Sequence, residues 1–547
     1  MTGILAHLHD RVLLCDGGMG TQVQARNLTL ADYDGHENCT DILSRTRPDV
    51  VRAIHEDYFA AGADMVETNS FGTSAVTLAE FGLEAEAFAL SKRSAELARE
   101  AMDAFKGDGR ARYVLGSLGP GTKLPSLGHI AYAELEAALA TQAEGLIAGG
   151  VDAILIETCQ DPLQIKAAVN AVKIARAKLS TPTPVFVQVT VETTGTLLVG
   201  ADIAAAATLM QALDVPLLGV NCATGPQEMS EHVNWLAATW PGLISVQPNA
   251  GLPELVDGQT CYPLSPADFA LWHERFATQF GVNLLGGCCG TTPRHIAASN
   301  EMLTRLDPKR PKPARRSFVW MPAVASLYSQ VALRQENAFL SIGERLNANG
   351  SKQFRELQAA ENWDGIAAMA KEQVREGSHT LDVCTAFVGR KEKADMIEVV
   401  SRLRGAVTAP LVIDSTEYEV LEAALELYGG KAILNSINFE NGEPDALKRV
   451  KLARKHGAAV IALTIDEEGM AKDRAGKLKI AKRLYDFAVG EHGLAPCDLL
   501  FDPLTFTICT GNEDDRKLAI ETLDAIQQIA QEMPECGIVL GLSNISF

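Results

Sequence analysis

Short apolar runs rich in Val, Ile and Leu alternate along the chain with longer Ala-rich stretches of helical spacing. In the first half the runs are RVLLCDGG, DMVETNS, YVLGSLGP, VDAILIETC, VFVQVTV, PLLGVNCA, LISVQPNAG and VNLLGGCCG. Each is continuously apolar rather than alternating, as expected of parallel strands covered on both faces. Between them, stretches such as Tyr132–Ala148 predict helices. A series of eight βα repeats predicts a (β/α)8 barrel. The residues closing the runs, Asp16, Asn69, Ser117, Glu157, Asn221, Asn249 and Cys288, then fall at the C-terminal strand ends, the rim where this fold carries its chemistry.

The second half repeats the scheme with FLSIGE, TLDVC, PLVIDS, AILNS, VIALTID, LLFDP and IVLGLSN, seven strands in all. The last lies just before Phe547, and a barrel one strand short would leave two raw edges. The expectation is therefore an α/β chain of two TIM-type barrels in tandem, the second truncated at its C-terminal end, as the front part of a longer protein. Between the halves, DPKRPKPARR (307–316) carries three prolines and five basic residues and reads as an extended, solvated linker. The expected division is 1–306 for the first barrel, 307–337 for linker and strap, and 338–547 for the second.

Composition narrows the function classes. A chain of 547 residues with 49 Lys+Arg against 69 Asp+Glu carries a formal charge of −20, unsuited to general nucleic-acid binding through phosphate neutralisation. The most apolar stretch, Ile203–Ala223, is broken by Gln211, Asp214 and Pro216, so no membrane span is expected. The start MTGILAHLHDRVLLC lacks a basic n-region and reads as no signal peptide. Eleven cysteines, an odd number in a long chain, are no disulfide framework and point to a reducing, cytoplasmic setting.

Cys222 closes the sixth run, and the vicinal pair Cys288 and Cys289 closes the eighth. Three thiols on neighbouring corners of one rim can meet at a point, and three cysteines around Zn²⁺ leave the fourth tetrahedral position open, as in catalytic sites. Gly286, Gly287 and Gly290 would let the backbone turn sharply enough for this. The alternative is that Cys222 is a small buried hydrophobe and the Cys-Cys pair an accident of packing. The motifs DGGMGT, ETNSFGT, GSLGP, GVNCATGP, QPNAG and GGCCGTTPRHI, in this order over residues 10–300, resemble the homocysteine S-methyltransferase domain. The resemblance implies zinc on Cys222, Cys288 and Cys289, with the homocysteine sulfur in the open position as thiolate. It also implies that Asp16 and Glu157 hold the amino-acid end of homocysteine. Asn69 and Ser117 are candidates for the same site, though these and Asn249 could instead brace loops.

The rim of the second half carries Glu344, Asp382, Asp414, Asn435, Asp502 and Asn544. Such a crowd of acceptors suits a neutral heterocycle with many N–H donors, while three Asp could equally bind Mg²⁺, and each could simply cap its own helix. The motifs IGERLNANGS, DVC, VIDST, ILNSIN, LFDP and GLSNISF resemble the pterin-binding domain of methyltetrahydrofolate:corrinoid methyltransferases. That resemblance implies Asp414, Asn435 and Asp502 around the pyrimidine of the pterin, with Asp382 in the same folate set. Asn544 would lie near the methyl-bearing nitrogen as a catalytic group, supported by Asp502. Glu344 and Asn347 would line the first corner, and Asn349, Gly350 and Ser351 would lie beside the folate. One departure is the basic segment Arg390, Lys391 and Lys393, where many relatives carry small or acidic residues and tail recognition could differ.

Both motif sets in this order resemble the amino-terminal half of the cobalamin-dependent methionine synthase family. The implied activity is methyl transfer from 5-methyltetrahydrofolate to homocysteine through cobalamin. No DxHxxG cobalamin signature occurs in the chain, so the cobalamin-binding domain is expected beyond Phe547 or on another chain. The alternative is a cobalamin-free homocysteine methyltransferase, using betaine or S-methylmethionine, fused to a non-catalytic folate-binding barrel.

Overall fold

A computed structural model describes residues 3–256, 259–508 and 513–546, without the side chains of residues 256, 259, 514, 543 and 546. Two compact units emerge, one built from residues 1–207 and 214–320 and the other from 208–213 and 321–547.

The first unit holds eight parallel strands: β1 Leu13–Leu14, β2 Met65–Glu67, β3 Tyr113–Leu118, β4 Ala153–Cys159, β5 Val185–Val189, β6 Leu217–Asn221, β7 Leu243–Gln247 and β8 Leu284–Leu285. They pair in chain order from β2 to β8, and β8 pairs with β1. Between β1 and β2, Asp64 N donates to Leu14 O at 2.6 Å and Leu14 N donates to the Asp64 carboxylate at 2.9 Å. The short helix Ile4–Asp10 presses Ile4 and Leu8 against Leu13, Met65, Tyr113, Leu217 and Leu284, stoppering the end where the strands begin. The helix Tyr132–Ala148 forms at the bounds its spacing predicts, and each predicted run becomes a strand.

In the second unit seven parallel strands follow in order: β9 Ile342–Asn347, β10 Thr380–Cys384, β11 Leu411–Asp414, β12 Ile433–Ile437, β13 Ala459–Leu463, β14 Leu499–Asp502 and β15 Gly537–Ile538. The strap folds into a hairpin, Ala323–Ala325 against Gln330–Ala332, and Val324 packs with Val412, Ile433, Ala459 and Leu500. It stoppers this sheet as the terminal helix stoppers the other.

The segment 307–316 is not wholly solvated as its composition suggests. Arg310 is buried and donates to Asp64 at 2.9 Å, to Gly62 O at 2.9 Å and to Asn300 at 2.9 Å. Pro311 O accepts from Val12 N at 2.8 Å, and Arg316 donates to Trp240 O at 2.8 Å. A run of basic residues and prolines hides such docking because the acid that receives Arg310 lies 246 residues away.

Candidate functional site

The C-terminal rim of the first sheet brings the three predicted thiols together. The Sγ atoms of Cys222, Cys288 and Cys289 all lie within 4.8 Å of one another, and those of Cys222 and Cys289 are 3.9 Å apart. Four ligands at the usual zinc–sulfur length of about 2.3 Å in a tetrahedron stand roughly 3.8 Å from one another. The thiol triangle fits such an ion. The turn that delivers Cys222 is left-handed at two non-glycine residues, Cys222 with φ 59° and Ala223 with φ 56°. Such backbone is held only where its surroundings over-determine it. Gly290 has φ +75°, and a Cβ there would stand 2.2 Å from the Tyr262 ring, so glycine is required. The thiols share hydrogen bonds, and those received from Cys222 and Cys288 pull Cys289 down to about 3. The same sharing pushes Cys288 well above the ordinary thiol range.

Beside the thiols stand three carboxylates. Glu157 is buried and accepts from Ser117 Oγ at 2.5 Å and Asn221 Nδ2 at 3.2 Å. Burial raises it to about 7. Asp16, also buried, accepts from Glu67 N at 3.0 Å and from the Cys15 thiol at 3.3 Å, and burial raises it to about 8. Glu67 accepts from Gln247 Nε2 at 2.8 Å and is raised well above the carboxylate range, first by desolvation and then by Glu157 and Asp16. Ser117 thus touches the site through Glu157. Asn69 faces elsewhere, its amide donating to Thr40 O at 2.9 Å and Ser44 Oγ at 3.2 Å, and Asn249 accepts from Cys289 N at 3.0 Å, bracing the thiol turn.

In the second sheet the strand ends again converge. Asn347 Nδ2 donates to Asp382, the middle residue of β10 rather than its last, at 2.8 Å and to Asp414 at 3.2 Å, tying β9, β10 and β11 together. Asp414 and Asn435 are register partners. Burial raises Asp382 to about 7 and Asp414 to about 6. Asp502 accepts from Leu504 N at 2.8 Å and is raised by burial to about 6. Glu344 lies exposed within β9, three residues before its end. Asn349 donates to Cys384 Sγ at 3.5 Å, Gly350 borders open space, and Ser351 caps the following helix by accepting from Phe354 N at 3.2 Å. Asn544 is exposed in the short helix 542–546, where its backbone carbonyl accepts from Thr507 Oγ1 at 3.2 Å. Among the described residues it joins none of the hydrogen bonds of the Asn347 cluster. Arg390 is committed to Asp395 at 2.5 Å and to Glu361 at 3.2 Å.

Sequence reasoning missed several rim residues. Glu67 and Gln247 close β2 and β7 inside ETNSFGT and QPNAG, each two residues before the asparagine, Asn69 or Asn249, that the sequence puts forward as the strand-end residue. Taking the last residue of each apolar run would have found both. Tyr262, whose side chain hydrogen-bonds Cys289, follows the small hairpin Glu254–Val256/Gln259–Cys261, and nothing in its surroundings signals a site.

A family model described as homocysteine S-methyltransferase matches residues 13–303, and one described as pterin binding enzyme matches residues 343–547. Methionine synthase of Mycobacterium tuberculosis is 47% identical over 549 residues, covering 100% of this chain and 46% of its own length. Methionine synthase of Mycobacterium leprae is 46% identical with the same coverage of 100% and 46%. The chain spans about half the length of the curated relatives it matches. The solved structure of the homocysteine methyltransferase MmuM from Escherichia coli in metallated form is 26% identical. It aligns with a TM-score of 0.44 over 53% of this chain and 96% of its own.

Proposed function

The chain belongs to the homocysteine S-methyltransferase family, and on that premise we propose that it carries the two substrate barrels of a methionine synthase. The methyl group would pass from 5-methyltetrahydrofolate to homocysteine through a cobalamin bound outside this chain. The observation that carries the reading is the triangle of Cys222, Cys288 and Cys289 at one rim, with an acid-and-amide cluster at the rim of a second, pterin-type sheet.

Cys222, Cys288 and Cys289 would hold zinc, with Tyr262 and Asn249 fixing Cys289. Zinc bound there supplies Lewis acidity that turns the homocysteine thiol into a thiolate at neutral pH. Asp16 and Glu157 receive the substrate ammonium, and Ser117 orients Glu157. Asn69 serves by bracing the loop beside β2 rather than by touching substrate.

In the second barrel, Asp382, Asp414, Asn435 and Asp502 take the N–H edge of the pterin. Asn347 pre-orients the first two, and Glu344 with Asn349, Gly350 and Ser351 lines the corner. A tertiary amine methyl becomes a good electrophile only when its nitrogen gains a proton. Asn544 would accept a hydrogen bond from that protonated nitrogen, the proton coming from solvent and steadied by Asp502. A reducing, cytoplasmic setting fits thiols that must remain unpaired.

The test has two halves. The chain is mixed with methylcobalamin and homocysteine, and separately with cob(I)alamin and methyltetrahydrofolate. Methionine in the first and methylcobalamin in the second are expected. Failure of the second alone would leave a cobalamin-dependent homocysteine methyltransferase with a folate-binding module.

A further inference from the structure

Lys477 lies within the helix Arg474–Tyr485 and is wholly buried. Its ammonium donates to the carbonyl oxygens of two successive residues, Pro503 and, at 3.2 Å, Leu504, and stands 4.9 Å from the centre of the Phe506 ring. Those residues form the turn that leaves β14 directly after Asp502. The turn is unusual in itself. Leu504 is left-handed at φ 62°, its N–H closes onto the Asp502 carboxylate at 2.8 Å, and its carbonyl also accepts from Thr522 Oγ1 at 3.0 Å. The Asp502 side chain is thus fixed by a backbone conformation that a leucine adopts only under constraint. An ammonium beneath the turn holds it together with the Thr522 hydroxyl.

An ammonium is a costly choice for that task, because burial opposes its charge and draws Lys477 down to about 8. Three carboxylates offset this: Asp502 from β14, Asp473 at the start of its own helix, and Glu521 from the helix Leu518–Glu532. Asp473 is taken up by Gly476 N at 2.7 Å and Glu521 by Arg474 N at 2.6 Å, both at the start of the Lys477 helix. Asp502 alone of the three belongs to the pterin-binding set. An apolar side chain could fill the same volume, but it could hold neither carbonyl nor favour the charged form of Asp502.

We propose that Lys477 is a positioning residue of the pterin site, clamping the Pro503–Leu504 turn and keeping Asp502 a carboxylate toward the folate ring. The inference rests on the reading of this barrel as a methyltetrahydrofolate site.

The experiment titrates methyltetrahydrofolate into the full chain between roughly pH 5.5 and 9, with alkylation of homocysteine by methylcobalamin as a control on the other barrel. Lys477→Met should weaken folate binding about tenfold at neutral pH and move the midpoint of its acid fall-off up by about one pH unit. Lys477→Arg should return the midpoint. In an Asp502→Asn background, Lys477→Met should add no further loss. Should Lys477→Met lose its fold by circular dichroism, Lys477→Gln decides, since it can reach the turn without the charge: a raised midpoint supports the inference, an unmoved one overturns it. Wild-type affinity and midpoint in a folded Lys477→Met protein overturn it, as does an equal loss with and without Asp502. If Asp502→Asn binds folate as well as wild type, the pterin role of Asp502 falls and this inference falls with it.

Discussion

The two rims solve the problem of gathered negative charge in different ways. In the first barrel, Asp16, Glu67 and Glu157 stand beside three thiols, and among the described residues no ammonium or guanidinium hydrogen-bonds to them. Their partners are neutral donors, Ser117 and Asn221 on Glu157, Gln247 on Glu67 and a backbone N–H on Asp16, and burial still raises Glu157 to about 7 and Asp16 to about 8. On the proposed reading such a rim would suit cations, a metal at the thiols and a substrate ammonium at the acids. In the second barrel Asp382 and Asp414 share the Asn347 amide, and Asp502 has, besides its own turn, the Lys477 ammonium as a charged neighbour. On the same reading that rim would suit donors rather than cations, as a neutral heterocycle provides. The lesson is that similar counts of strand-end acids can serve opposite ligands, and their neighbours decide which.

The largest effect that would break this contrast is at the thiols. Cys288→Ala should abolish zinc binding and alkylation of homocysteine while leaving methyltetrahydrofolate affinity unchanged; full zinc by metal analysis would refute the assignment. Next come two changes on the other rim. Asp414→Ala removes a charge-assisted hydrogen bond worth about 1.5–3 kcal/mol and should weaken folate binding roughly 10- to 150-fold by titration. Asn544→Ala should instead lower single-turnover transfer to cob(I)alamin by a similar, roughly 10- to 150-fold factor at saturating folate. A loss of affinity alone would remove Asn544 from the reacting centre.

Acidity gives a smaller and graded test. Burial raises Asp414 to about 6 and Asp382 to about 7, so near neutrality part of the population is protonated. A pterin edge that donates hydrogens selects the carboxylate forms and expels those protons. Folate affinity should therefore rise with pH through this window, by up to about tenfold per unit for each proton released, as far as about pH 8, where Lys477 begins to lose its own proton. Calorimetry in buffers of different ionisation enthalpy counts the protons; none released would mean the acids bind folate protonated. The smallest effect expected is on stability. Arg310→Met should cost about 1.5–3 kcal/mol and lower the melting temperature of the first barrel by about 3–12 °C.

Much of this architecture was legible before any coordinates. Parallel strands buried on both faces announce themselves as continuous apolar runs, so all of β1 to β15 were located, and the residues that close them led to Cys222, Glu157, Asp382 and Asp414. What remained hidden depends on distant partners. Arg310 reads as a solvated charge until Asp64 is placed beside it, and Lys477 reads as one more basic residue in KLKIAKR until the turn after Asp502 is laid over it. Asn69 is the reverse case. It has the right chemistry at the right end of a strand, yet its amide is spent on Thr40 and Ser44.

The stoppers that close the two sheets share one property of chain order. Each is made from the residues that immediately precede the first strand it closes, Ile4 and Leu8 ahead of β1 and Val324 ahead of β9. Each half therefore carries its own lid within its own stretch of gene, and, apart from the stretch 208–213, the boundary between the units falls at the junction of Trp320 and Met321 rather than in the proline-rich run. A piece ending at residue 306 would forfeit the Arg310 anchor, and one starting at 338 would open its apolar floor to water. Separated at 320, each piece keeps the stopper of its own sheet.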